Sequence, residues 1–222
     1  LVRHFWRSVK PETEALEVLR AAGVAVVPSC RAASVEAAIS AGRELGYPLA
    51  VKVDSPDIEH KSEAGGVRLD VGNDTVLAEA FAGIMAATRR HAPHAEIRGV
   101  VVQPMMRAPL ELIFGLIPDE RFGAAVLVGF GGLLAETLGR TQVRIAPFDV
   151  DDARECLVRL LAPRGEERTN WRNLDIGAAA KLLSDFSRLA AALAPHVEAI
   201  DVNPVGVFTD GRGACALDCL IL

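Results

Sequence analysis

Aromatic residues are scarce, at 5% of the chain with a single Tyr. A core therefore has to be built mainly from Ala, Val, Leu and Ile. There is no basic excess: the net charge is −5, so the chain carries no positive field for polynucleotide phosphates and a nucleic-acid partner is not expected. No run reaches the roughly 18 uncharged apolar residues of a membrane span. The longest, Phe122 to Ala135, is broken by glycines and meets Glu136, so a soluble chain with no membrane partner is expected. Arg3, His4, Arg7 and Lys10 interrupt any signal-peptide pattern at the N-terminus. The four cysteines, Cys30, Cys156, Cys215 and Cys219, lack paired metal-ligand spacing and read as reduced thiols of a cytoplasmic protein. The first residue is Leu rather than Met, as expected of an excerpt from a longer polypeptide.

What is present is apolar periodicity that alternates between helix and strand. Half of the 222 residues are apolar, enough for one large domain or two small lobes. A helix is expected from Pro11 to Gly23, then a short strand Val24–Val27 ending at Pro28. Ser34 can cap a helix that stops at Gly46. Strands follow at Leu49–Val53 and Gly66–Val71, and the clearest helical face runs from Asp74 to Arg90. Further strands are expected at Ile97–Gln103, Leu110–Ile117 and Ala124–Val128. A helix at Val150–Leu161, a polar Arg-rich loop at Pro163–Asn173 and a long helix carrying Ile176 to Leu193 come next. The chain closes with strands Glu198–Val202, Val205–Phe208 and Ala214–Leu220, with a turn at Asp210-Gly211. This interleaving predicts an α/β fold with mixed sheets, and the prolines at 104 and 109 mark the boundary between two lobes, residues 1–106 and 107–222.

Lysine is rare: Lys10, Lys52, Lys61 and Lys181 are the only ones among 24 basic residues. Lys52 falls inside the apolar run Leu49–Val53, where a charge is costly without a partner. A phosphate would suit a compact ammonium; an edge-strand lysine reaching water is the alternative. The polar loop His60–Gly66 ends in two glycines, whose main chain can approach phosphate oxygens closely or can simply turn a hairpin. It is not a Walker loop, and Gly129-Phe-Gly-Gly132 fails the dinucleotide fingerprint because Leu134 stands at the third glycine. In the C-terminal hairpin, Asp218 lies in an apolar strand and Asn203 precedes Pro204. One carboxylate and one amide suit magnesium, which keeps several waters, although Asp201 or Asn203 could equally cap a turn.

Five motifs in order make the sequence recognisable: HKSEAGG at 60–66, VVQPMM at 101–106, ELIFGLIPDERFG at 111–123, GFGG at 129–132 and IDVNPV at 200–205. From about residue 12 to the C-terminus the chain resembles the ATP-grasp region of ADP-forming acyl-CoA synthetases, akin to the β subunit of succinyl-CoA synthetase. The resemblance implies two α/β lobes with ATP between them, and ATP/ADP and Mg2+ as cofactors. It casts Lys52 as a phosphate contact and Gly65 and Gly66 as a phosphate-covering loop. Gln103, Met105 and Met106 become the hinge whose main chain meets adenine; Pro104 lacks an N–H, so Met105 or Met106 has to supply the donor. Glu111 is implied as the ribose carboxylate, Asn203 and Asp218 as the magnesium pair, and His60 as a phosphate-relaying histidine, chemistry suited to neutral imidazole.

Nothing in the chain resembles the CoA-binding Rossmann domain or a second phosphohistidine domain. The resemblance thus implies a missing partner, a CoA-binding/phosphohistidine domain or α subunit, and an oligomeric full enzyme in which this module is inactive alone. Two alternatives are weighed beside it. One is a regulatory, ligand-binding ATP-grasp domain of a protein lysine acetyltransferase, against which the retention of His60 counts. The other is a carboxylate–amine ligase unrelated to CoA, against which the HKSEAGG loop counts.

Overall fold

The computed structural model describes residues 12–58, 60–132, 139–161, 173–209 and 211–222. They form two compact units. The smaller comprises Pro11–Thr13 and Val27–Met106; Glu14–Val26 and Arg107–Leu222 belong to the larger. The chain crosses between units at Met106/Arg107 and again on either side of Glu14–Val26. The reason for the second crossing is packing: Ala15, Leu16 and Leu19 of helix α1 (Glu12–Ala21) lie in the larger unit's core. A single boundary at 106/107 does not include that placement. Among the described residues no helix is long and apolar enough to cross a membrane.

The smaller unit is a four-stranded sheet in the order β1-β4-β2-β3, with β1 at Cys30–Ala32, β2 at Leu49–Asp54, β3 at Val67–Val71 and β4 at Gly99–Pro104. Its pairs are antiparallel. Helix α2 (Val35–Leu45) starts where Ser34 accepts from the Ala37 N–H at 3.2 Å and ends at Gly46, whose φ of 84° few side chains tolerate. Helix α3 (Asp74–His91) starts where Asn73 accepts from the Val76 N–H at 3.0 Å, and its last turn holds Arg89, Arg90 and His91, which suit the dipole. Leu49, Val51, Val53, Val100 and Val102 meet Leu77 and Ile84 in one core. Strand alternation then puts Ala50, Lys52 and Asp54 of β2, with Val101 and Gln103 paired beside them, on the opposite face.

The larger unit is built on the order β10-β8-β5-β6-β7, with β9 also paired to β8. These strands are β5 (Leu110–Asp119), β6 (Gly123–Phe130), β7 (Thr141–Ile145), β8 (Ile200–Val207), β9 (Ala214–Ala216) and β10 (Leu220–Ile221). Helices α4 (Val150–Leu161) and α5 (Ile176–Leu193) bury Leu157, Leu160, Leu183 and Phe186 against Leu110, Leu112, Phe114 and Leu116. Asp175 caps α5 by accepting from the Ala178 N–H at 2.9 Å, and its other oxygen takes the Gly211 and Gly213 N–H groups at 3.2 and 3.1 Å. Glu111 and Asp201 lie on the face of this sheet opposite that core.

Several expectations need correction. The strand pairs are antiparallel, not mixed; parallel contact among the described residues is the isolated bridge Val26–Ala216. Val24–Val27 is therefore no strand, and the strand lies later, at Cys30–Ala32, where it pairs with Val100–Val102. The two short strands at 198–208 are one strand, β8, running through Pro204, and the single strand at 214–220 is split into β9 and β10. Strand β7 was not expected from the sequence. The Arg-rich loop at 163–173 lies outside the described residues except Asn173, as do Pro11 and Asp210 of the expected turn.

Candidate functional site

In the smaller unit, every residue of β2 except Lys52 is buried. The Lys52 ammonium stands 2.7 Å from Glu12 Oε1, and that of Lys61 stands 2.9 Å from Glu12 Oε2. Gln103 Nε2 donates to Glu12 Oε1 at 3.0 Å. The Glu12 side chain is 1% exposed, against 12% for Lys52 and 16% for Lys61. Burial alone would raise the Glu12 carboxyl; the charges and hydrogen bonds of Lys52 and Lys61 outweigh it and hold the group below its ordinary value. Beside this cluster Arg31 donates to Thr13 and pairs with Asp54 at 3.3 Å. Lys52 and Gln103 are thus brought together, around a carboxylate that sequence reading did not single out.

The loop 60–66 is a compact turn. The Ala64 N–H donates to His60 O at 3.2 Å, the Gly65 N–H to Ser62 O at 3.1 Å and the Gly66 N–H to Lys61 O at 2.7 Å. His60 itself is exposed. Gly65 has φ 67°, which accounts for its lack of a side chain. Gly66 is required by packing: a Cβ there would stand 2.6 Å from Val53 Cγ1 and 3.0 Å from Lys61 O. The Gly66 carbonyl also accepts from the Val53 N–H at 2.7 Å, tying the loop to β2 one residue beyond Lys52.

At the end of β4, the Met105 N–H donates to Pro48 O at 2.8 Å. That donor is engaged within the smaller unit.

In the larger unit, Glu111 of β5 accepts through its carbonyl from the Gly131 N–H at 2.8 Å. Its carboxylate lies against Gly132, where a Cβ would come within 2.5 Å of Oε2. Asn203 and Asp218 are neighbours across the C-terminal strands, the Asn203 N–H donating to Asp218 O at 3.2 Å. The Cys219 N–H donates to Asp218 Oδ1 at 2.8 Å. Asp201 joins them: local burial raises its carboxyl, a hydrogen bond to Asn203 partly offsets this, and the like charge of Asp218 adds to the rise. Two carboxylates and an amide in one place suit a hard divalent cation that would relieve their repulsion, and magnesium needs only one or two protein oxygens. Among the described residues no cluster of three or more His, Cys, Asp or Glu forms a metal cage. Asp201 was weighed in the sequence only as a turn cap; its two-residue spacing from Asn203, which in a strand places both on one face, was the available signal.

A family model gives the class to which this fold belongs: the chain matches the ATP-grasp domain over residues 3–222 and belongs to that family. Within it, the chain matches the β subunit of ADP-forming acetate–CoA ligase. It is 36% identical to subunit β of the acetate–CoA ligase [ADP-forming] I of Pyrococcus furiosus over 217 residues, spanning 95% of this chain and 90% of the relative. Among solved structures, a protein of Pyrococcus horikoshii Ot3 superposes with a TM-score of 0.89 at 33% identity, covering 97% of this chain and 92% of the other. An acetyl-coenzyme A synthetase of Ca. Korarchaeum cryptofilum, solved with coenzyme A and Mg-AMPPCP and with its phosphohistidine segment pointing towards the nucleotide-binding site, superposes with a TM-score of 0.74 at 26% identity. It covers 97% of this chain and 93% of that one.

Proposed function

We propose that this chain is the ATP-binding module of an ADP-forming acyl-CoA ligase, which with its partner interconverts acyl-CoA, ADP and phosphate with a carboxylic acid, CoA and ATP. The observation that carries the reading is Lys52, the one residue of β2 that is not buried, with its ammonium beside that of Lys61. Two ammoniums at one place are chemistry for phosphate. Lys52 contacts the nucleotide phosphates and the loop bearing Gly65 and Gly66 covers them. Gln103 and Met105 form the segment that carries Met106, whose N–H meets the adenine edge. Glu111 binds the ribose hydroxyls, and Asn203 and Asp218, with Asp201, hold magnesium. Magnesium when bound supplies positive charge to the phosphates.

His60 is the phosphate acceptor: a phosphorus–nitrogen bond forms on its imidazole as the bond from the γ-phosphorus to the ADP oxygen breaks. Its exposure suits a group that must hand phosphate to another domain. The acceptor is a CoA-binding/phosphohistidine domain or α subunit, and the assembled enzyme is an oligomer working in the cytoplasm. The test is reconstitution with the CoA-binding partner. Acyl-CoA forms only in the mixture, and His60→Asn abolishes turnover while nucleotide affinity stays within about twofold. Near-normal turnover by His60→Asn ends the relay, and thioester formation by the chain alone ends the division of labour.

A further inference from the structure

We infer that Gly132 is a positioning residue for the nucleotide ribose: its bare main chain fixes the place of the Glu111 carboxylate, so that the pair selects a ribonucleotide over one lacking the 2′ and 3′ hydroxyls. The inference rests on the proposed reading of Glu111 as the ribose carboxylate and deepens it. It gives the GFGG segment at 129–132, to which the proposed function assigns nothing, a task in nucleotide selectivity.

The main chains on the two sides of this contact are tied to each other. Glu111 stands in the β5–β8 ladder opposite Gly206, and its carbonyl accepts from the Gly131 N–H at 2.8 Å. Gly131 lets the two segments come that close: a Cβ there would stand 3.2 Å from Leu112 O and 3.3 Å from Glu111 Cβ. What remains free to turn is the Glu111 side chain, whose torsions give its carboxylate several staggered positions. Gly132 bounds that choice. A Cβ at residue 132 would lie 2.5 Å from Glu111 Oε2, well inside the contact distance of unbonded atoms. The carboxylate thus occupies the space that any side chain at 132 would take.

The kind of conflict separates this glycine from others. At Gly131 the neighbours include main-chain atoms, and at Gly99 a Cβ would stand 2.2 Å from Ala32 O, so a side chain at either position has to move backbone. At Gly132 the conflict is with the end of a side chain, and the chain can yield by turning Glu111 away. Glycine at 132 therefore serves the position of the carboxylate. The φ of 55° at Gly132 is a separate requirement, and Asn also meets it. The place is open to a ligand, with Gly132 exposed and Glu111 half-buried. Two carboxylate oxygens can accept from two neighbouring hydroxyls. A side chain already held in place loses less rotamer freedom when they arrive, which lowers the cost of binding.

The experiment is calorimetry of the 222-residue chain with Mg-ADP and with Mg-2′,3′-dideoxy-ADP. The parent is expected to bind ADP about tenfold or more tightly than the dideoxy nucleotide, as hydrogen bonds to a charged group imply. Gly132→Ala is expected to lose most of that preference, by weakening ADP and leaving the dideoxy nucleotide unchanged. Added to Glu111→Ala, it is expected to cause no further loss, the coupling of residues that act through one another. If Gly132→Ala does not fold, Gly132→Asn takes its place, and failure of both to fold makes Gly132 a residue of the fold and overturns the inference. An equal fall for the two nucleotides in the folded variant overturns it too, as does a preference for ADP that survives intact. Equal binding of both nucleotides by the parent removes the ribose reading of Glu111 and this inference with it, as does failure of the parent to bind Mg-ADP. A preference lost in Glu111→Ala but kept in Gly132→Ala leaves that reading standing and removes only the role of Gly132.

Discussion

The two units solve opposite electrostatic problems. In the smaller one, opposite charges are buried together: Glu12 neutralises part of the charge of Lys52 and Lys61. In the larger one, like charges share the C-terminal strands, where Asp218 adds to the rise of the Asp201 carboxyl. The first arrangement is complete from within the chain. The second gains from a cation supplied from outside. One protein thus pairs a buried cluster of opposite charges in one unit with a pair of like charges in the other, where a cation would relieve the repulsion.

That contrast can be broken at its strongest point first. Removing one partner from a buried ion pair costs about 3–5 kcal/mol, so Glu12→Gln should lower stability by up to that amount at pH 7, read by denaturant unfolding. The folded-state value of Glu12 lies below its ordinary 4.5. Its contribution is therefore present above about pH 4.5 and lost as pH falls through the lowered folded value. Variant and parent should converge in acid; a gap that persists undiminished there would contradict the charge account.

Lys52→Ala should weaken Mg-ADP by about ten- to a hundredfold, the roughly 1.5–3 kcal/mol of a lost hydrogen bond to a charged group, by calorimetry. A surface lysine would show almost no change. Gly66→Ala tests whether the loop glycine serves packing. With its Cβ 2.6 Å from Val53 Cγ1, the variant should lose about 1–3 kcal/mol of stability, while Gly23→Ala, with open space around it, pays only for its positive φ.

The smallest effect belongs to the acidic strands. The folded value of Asp201 is raised above 3.8, so its contribution is fully present below that pH and lost as pH rises through the raised value. Without metal, Asp201→Asn should stabilise the chain at pH 7 by no more than about 0.5 kcal/mol, given solvent screening. Magnesium should abolish that gain by stabilising the parent. Equal thermal shifts with magnesium in parent and variant would separate Asp201 from the metal site.

How much of this was legible in the sequence depends on distance along the chain. Lys52 stood out because a lone charge in an apolar strand is a local signal, and Asp218 was visible for the same reason, while Asn203 was marked by the proline that follows it. Glu12 was not, because its partners lie 40 and 91 residues away and its own surroundings, Pro-Glu-Thr-Glu, read as an ordinary helix start. The fold shows the same split. Helices α2 and α3 announce themselves through caps and faces. Strand β7 does not: Thr141–Ile145 leaves Val143 62% and Ile145 45% exposed, so no buried face imposed an alternation to detect. The run Val24–Val27 looks like a strand by composition yet finds only one bridging partner, at Ala216, a fact of tertiary pairing that propensity does not contain. The commitment of the Met105 N–H to Pro48 likewise depends on β2 and β4 lying side by side.

The most direct test of the central claim is calorimetric titration of the folded chain with ADP, with and without magnesium. The account requires binding that magnesium strengthens and that Lys52→Ala and Asp218→Ala each weaken while both variants remain folded. A folded chain with no affinity for the nucleotide in the presence of magnesium would contradict it.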